Sequence, residues 1–146
     1  VLRGNSPAKI DDKGRLKVPN GFRAVIQKDH GVELFVTSLS GQSVRIYPMP
    51  VWVDIERRLA QMPSTHPARL RFLDRVNFYG QVAELDSQGR VLIQPRLRES
   101  ALMNGEVDVL GQQNYLEVWN HERFAARLIA EPYTEDDAKA LSDFGI

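Results

Sequence analysis

Lys9-Ile10-Asp11-Asp12-Lys13-Gly14-Arg15-Leu16-Lys17-Val18-Pro19 is the stretch whose reading decides the fold. Its centre is turn chemistry: Asp can bond its own backbone, and Gly accepts a positive φ. The flanks alternate. Ala8, Ile10, Leu16 and Val18 fall on one face of a two-residue period, and Lys9, Asp11, Arg15 and Lys17 on the other. The spacing predicts a short strand, a tight turn and a second strand. One face can enter a core while the other carries cations.

The pattern returns as Ala83-Glu84-Leu85-Asp86-Ser87-Gln88-Gly89-Arg90-Val91-Leu92-Ile93. At an offset of 75 residues Asp11 falls on Asp86, Gly14 on Gly89 and Arg15 on Arg90. The apolar positions follow, Ile10 on Leu85, Leu16 on Val91 and Val18 on Ile93, and Phe22-Arg23 falls on Leu97-Arg98 without a gap. An internal repeat of this kind sets the architecture before any other feature.

The start Arg3-Gly4-Asn5, the repeated Asp-x-x-x-Arg in a Gly turn, and Tyr47-Pro48 before Trp52 resemble the MraZ family of bacterial transcriptional regulators. The resemblance covers roughly residues 1 to 130. It implies two halves similar to the AbrB/SpoVT swapped-hairpin DNA-binding fold, with the motif arginine engaged in DNA binding. It also implies a ring-shaped homo-oligomer on the nucleoid that binds repeated short promoter sites. The genes it implies are those for cell division and cell-wall synthesis, including the protein's own operon.

Composition sets the frame. The 146 residues are 42% apolar, enough for a core, and no run of 18 or more apolar residues exists, so no transmembrane helix is expected. The start lacks an apolar signal-peptide segment, so none is expected. There is no Cys, which removes disulfides and thiol chemistry and fits a reducing cytoplasm. Net charge is zero but unevenly spread. Residues 1–50 hold eight Lys or Arg against four Asp or Glu, residues 51–75 five against three, residues 76–125 four against seven, and residues 126–146 two against five. A basic front and an acidic back suit one face for a polyanion, and equally permit head-to-tail contact between subunits. Ordinary surface charge gives the same count.

Read in order, the first half predicts β-β-α-β-β. Residues 1–6 show no periodicity, and Gly4 to Pro7 reads as a loop or strand entry. After the hairpin, Asn20 is a candidate N-cap for a helix carrying Phe22, Val25 and Ile26, with Gly31 suited to its C-cap. Strands over 33–37 and 44–47 flank a turn at Ser40-Gly41-Gln42. Trp52, Ile55, Leu59 and Met62 then space out an amphipathic helix that Pro63 ends, and Leu70, Leu73 and Val76 a second, expected to pair antiparallel with it. The second half repeats the order, with strands over 81–85 and 90–93, a helix from Pro95 to about Leu102, strands over 107–110 and 115–119, and a helix to Ala130 capped by Asn120. The acidic tail is expected to be partly disordered.

The fold expected is α+β, mainly β. Two β-β-α-β-β repeats form one pseudo-twofold barrel, with helices between and after them, because pairing the halves removes open sheet edges. The boundaries expected are 5–52 for the first repeat, 53–79 for a helical connector, 81–124 for the second repeat and 125–146 for the helix end and tail.

Arg15 is the first candidate for function. At the hairpin tip its fork can bond two phosphate oxygens, or guanine O6 and N7, and a two-stranded ribbon fits the major groove. Lys13, Lys9 and Lys17 would add phosphate contacts, with Gly14 shaping the turn. The alternative is that Arg15 pairs with Asp11 and pins the hairpin; both can hold. In the second copy Lys9 becomes Glu84, Lys13 becomes Gln88 and Lys17 becomes Leu92. Asp86, Gly89 and Arg90 are therefore expected to be structural, or Arg90 to touch a neighbouring subunit.

No catalytic constellation, P-loop or dinucleotide glycine motif is present, so no enzyme, cofactor or small-molecule substrate is expected. His30, His66 and His121 lack metal spacing, and Asp11 and Asp12 suit turn capping better than a metal. The partners expected are double-stranded DNA and further copies of the chain, with no membrane. A protein-assembly module without DNA binding is the competing class.

Overall fold

The computed structural model describes residues 1–146. The first half runs β1 (Leu2–Ile10), β2 (Arg15–Lys17), α1 (Asn20–Asp29), β3 (Glu33–Thr37) and β4 (Val44–Pro48). Helices α2 (Met49–Leu59) and α3 (Pro67–Tyr79) follow. The second half runs β5 (Gln81–Glu84), β6 (Arg90–Leu92), α4 (Pro95–Ser100), β7 (Gly105–Gln113) and β8 (Leu116–Asn120), then α5 (His121–Ala130) and α6 (Glu135–Ser142).

All eight strands join one antiparallel sheet in the order β5-β3-β4-β8-β7-β1-β2-β6. Exchanging β1 with β5, β2 with β6, β3 with β7 and β4 with β8 returns every neighbour except that the β1–β2 pair falls on β5 and β6, the two ends of the sheet, so the sheet has a pseudo-twofold. Four of its pairings cross between the halves: β1 with β7, β3 with β5, β2 with β6 and β4 with β8. The last two lie on the pseudo-axis. The turn joining β5 to β6 nearly closes the barrel, which leaves little open edge. Both halves thus contribute strands to one sheet, as the expected pseudo-twofold barrel required.

The core follows the repeat. Leu16 and Val18 are fully buried, as are Val91 and Ile93, their equivalents. Ile26 and Ala101, also 75 residues apart, are sealed by the helices that follow each hairpin. Full burial of one such aliphatic side chain contributes about 1.5–3 kcal/mol. A second cluster lies outside the barrel, where Trp52 of α2 stacks on Phe35 at 4.6 Å and on Phe72 of α3 at 6.3 Å. Trp52 is thus core, as its spacing implied, and α2 and α3 both cover β3.

Several boundaries differ from expectation. β1 begins at Leu2, not after Pro7, because nine residues pair in register with β7 from Leu2↔Gln113 to Ile10↔Gly105. The same pairing carries β7 through Gln113, into the expected loop. Gly4 lies opposite Gly111, where a Cβ would run into the Arg3 backbone. Asn20 does not cap α1; Pro19 holds that position without a side-chain bond. Asn120 does cap α5, accepting from the Arg123 N–H. α2 stops at Leu59, short of Met62. The acidic tail, expected to be partly disordered, holds α6, started by a capping box in which Thr134 and Asp137 each accept from the other's backbone N–H.

Candidate nucleic-acid interface

Each hairpin is tied by one carboxylate. In the first, Asp11 Oδ1 accepts the N–H groups of Lys13 at 3.0 Å and Arg15 at 2.8 Å, and Oδ2 accepts Arg15 Nε at 2.8 Å. In the second, Asp86 Oδ1 accepts from Gln88 and Arg90, both at 2.9 Å, and Oδ2 accepts Arg90 Nε at 2.9 Å. Both Asp carboxyls are held below their ordinary value. The backbone N–H of the motif arginine is the largest cause, and the bond from its guanidinium adds to it against some desolvation. The structural role considered for Arg15 is therefore real. It does not use up the side chain: Nε faces Asp11, while the two terminal nitrogens remain available as donors.

Gly14 and Gly89 adopt φ +82° and +75°, the left-handed region that favours glycine. A further restraint applies at each. The Arg98 guanidinium of α4 lies against Gly14, where a Cβ would overlap it, and Arg23 of α1 lies against Gly89 within 2.9 Å of where a Cβ would stand. Arg23 also donates from Nη2 to the Ser87 carbonyl at 3.1 Å. Each turn is thus braced by an arginine from the other repeat. These two residues were missed as site residues by sequence reasoning, although the ungapped match of Phe22-Arg23 on Leu97-Arg98 was their signal. The hairpins are further sewn together by Val18 N–H to the Gly89 carbonyl and Ile93 N–H to the Gly14 carbonyl, both at 2.9 Å.

The outward face is where the hairpins differ. β2 and β6 pair as Arg15↔Leu92, Leu16↔Val91 and Lys17↔Arg90. Leu16 and Val91 point inward, so Arg15, Lys17, Arg90 and Leu92 share the outer face. Lys9, Lys13 and Lys17 are all exposed, and none forms an ion pair. Lys17 stands opposite Arg90 in the strand register, and Arg90 is itself paired with Asp86. The structure thus brings Arg90 onto the strip that holds Arg15 and Lys17. The two tips lie at opposite ends of the β2–β6 pair because the strands are antiparallel. Lys13 stands at the first tip and Gln88 at the second, while Lys17 lies opposite Arg90 and exposed Leu92 opposite Arg15.

A separate polar cluster escaped the sequence reading. Asp108 on β7 is buried, accepts from Asn5 Nδ2 at 3.2 Å, and lies 2.8 Å from His121 Nδ1 of α5. The bond to Asp108 and its charge hold His121 above its ordinary value, opposed by desolvation and aided weakly by Glu106 and Glu122. No group of three or more His, Cys, Asp or Glu side chains is placed to hold a metal ion. No helix is long and apolar enough to cross a membrane.

The chain matches the family model of the MraZ protein over residues 1–75 and 80–144. It is 48% identical over 146 residues to the transcriptional regulator MraZ of Acidobacterium capsulatum, with both chains covered in full. Against the transcriptional regulator MraZ of Koribacter versatilis it is 47% identical over 147 residues, again with full coverage. The protein of the same name from Chromobacterium violaceum is 35% identical over 145 residues, covering 99% of this chain and 97% of that one.

Proposed function

Because the chain belongs to the MraZ family, whose relatives are named transcriptional regulators, we propose that it is a sequence-specific DNA-binding regulator that engages double-stranded DNA with its first hairpin. One observation carries this reading: Lys9, Lys13 and Lys17 are exposed without ion-pair partners on the hairpin that presents Arg15. A fold gains nothing from unpaired cations gathered on one hairpin, whereas a polyanion pairs with them. Arg15, pre-oriented by Asp11, offers its terminal nitrogens to a phosphate or a guanine edge. Lys13 at the tip and Lys9 and Lys17 on the flanks supply phosphate contacts, and Gly14 keeps the tip narrow. Arg90 sits at the far end of the strip and plays the smaller part.

One hairpin reaches few phosphates, so a single subunit binds weakly and with steep salt dependence. Useful affinity comes from several subunits on repeated promoter sites, which fits the ring-shaped homo-oligomer implied by the family resemblance. The same resemblance supports promoters of the cell-division and cell-wall gene cluster as targets, and a place in the cytoplasm on the nucleoid. The test is a mobility shift of Arg15→Ala on DNA from upstream of its own operon. Weakened binding with assembly intact is expected; unchanged binding would reject the role given to Arg15.

The uneven charge supports a second reading, an assembly module whose basic front meets the acidic back of another copy. Filter binding across a salt series separates the two: no DNA retained even at low salt favours assembly alone.

A further inference from the structure

The segment after α5 is almost wholly uncovered. Ile129, Tyr133, Phe144 and Ile146 are each at least 70% exposed. α6 has eight residues, and every side chain on it is exposed except Leu141, which is partly covered. Isolated helices shorter than about 12–15 residues are marginal in water, even when well capped. The capping box and the three acidic residues of the first turn specify where α6 begins, yet no packing supports it. Ala138 and Leu141 share one face by their spacing, and Phe144 and Ile146 follow directly. The segment is therefore an acidic element with one apolar side.

A surface of opposite character lies at the front of the barrel. A cleft of about 320 Å³ opens where the start of β1 faces α1, lined by Val1, Arg3, Ser6, Pro19, Gly21, Phe22 and Val25. Phe22 and Val25 are only partly covered by the core. Arg3 is the charged side chain of its lining, whereas the first turn of α6 carries Glu135, Asp136 and Asp137. Within one chain the two surfaces do not meet, since the tail is exposed and the cleft open.

We propose that residues 131–146 dock into the Arg3–Phe22–Val25 cleft of a second copy of this chain, head to tail. Phe144 and Ile146 enter the cleft, and the acidic first turn of α6 faces Arg3. The two patches are different surfaces, so the contact is heterologous and repeats from copy to copy until a ring closes. This rests on the oligomeric reading above and names the surfaces that build the oligomer.

The test is sedimentation of the full chain without DNA. Phe144→Asp with Ile146→Asp alters only exposed side chains. Gly21→Glu fills the cleft, where a Cβ meets nothing within 4 Å. Each variant is expected to weaken self-association by roughly thirtyfold or more, as loss of an apolar anchor does. Mixed one to one, the two variants retain one good tail and one good cleft between them, so they are expected to form a complex that stops at two copies. Wild-type assembly by either variant, or no complex on mixing, overturns the docking while leaving the oligomer standing. A wild-type chain that stays monomeric at every concentration overturns both.

Discussion

The two hairpins share a scaffold and differ in what they show to solvent. Each has an Asp tying the turn, a left-handed Gly, an arginine on Asp, and a bracing arginine from the opposite repeat. Their inward residues are buried alike. Only the outer residues diverge, with lysines at 9, 13 and 17 against Glu84, Gln88 and Leu92. The comparison separates two roles that one hairpin would confound. What both copies keep ties the turns, with the motif arginine using Nε for that and leaving its terminal nitrogens free; the lysines that only the first copy has are available for a partner.

The largest expected effects lie in the shared scaffold. Leu16→Ala empties a fully buried site and is expected to cost about 2–5 kcal/mol of stability. Val91→Ala, at the equivalent site with a smaller side chain, should cost less. Denaturant unfolding of both would show a single transition in each case, because the cross-pairing leaves neither half independent. Two separate transitions would break the picture of one interleaved unit.

Next comes the divergence between the copies. Arg15→Ala is expected to weaken DNA binding by about tenfold to a hundredfold, the range for loss of a charge-assisted bond. Arg90→Ala, with the same Asp partner but Gln88 where the first tip has Lys13, should change affinity by no more than about threefold. Equal losses would mean that both tips bind. The braces sharpen the contrast. Arg98→Ala loosens the first turn and should reduce DNA binding, while Arg23→Ala loosens the second and should not; each should cost about 1 kcal/mol of stability.

Acid should affect both hairpins in the same way. Asp11 and Asp86 are depressed below 3.8, so their contribution is fully present above that value and is lost as pH falls through their folded values. Asp11→Asn and Asp86→Asn should each flatten the fall in melting temperature between about pH 5 and about pH 2. A steeper fall in either variant would contradict the tie.

The smallest effect concerns a place where the halves are packed differently. Phe35 pairs with Val82 as Asp108 pairs with Pro7, so the two occupy equivalent positions. In the first half that position stacks on Trp52; in the second it bonds Asn5 and His121. His121 is raised above 6.5, so its contribution is fully present below that value and is lost as pH rises through its folded value. His121→Asn should therefore lower the melting temperature in mild acid and leave it nearly unchanged in alkali. Glu106 and Glu122, which also face His121, should modulate this only slightly.

What could be read from residues alone was whatever repeats or alternates. The hairpins, the buried positions of β2 and β6, and the helices carrying Ile26 and Trp52 all follow local periods. The first half of β1 was hidden because Gly4-Asn5-Ser6-Pro7 has no strand preference; nine bonded positions on β7 impose the strand from outside. The roles of Arg23 and Arg98 needed the crossing of the two repeats, since each acts on a turn some 65 to 85 residues away. Asp108 and His121 sit on neighbouring elements with no motif between them. α6 was missed for another reason: its capping box was in the sequence, but an acidic tail without core periodicity reads as unstructured.

The most direct test converts the first hairpin into the second. Lys9→Glu, Lys13→Gln and Lys17→Leu together leave the Asp11–Arg15 tie and every inward residue in place. DNA affinity would be measured across a salt series for this variant and for the unaltered chain. The expected result is weaker binding and a slope of log K against log salt that is shallower by roughly 3 for each engaged hairpin. The same affinity and the same slope, with the fold intact, would contradict the assignment of DNA contact to the first hairpin.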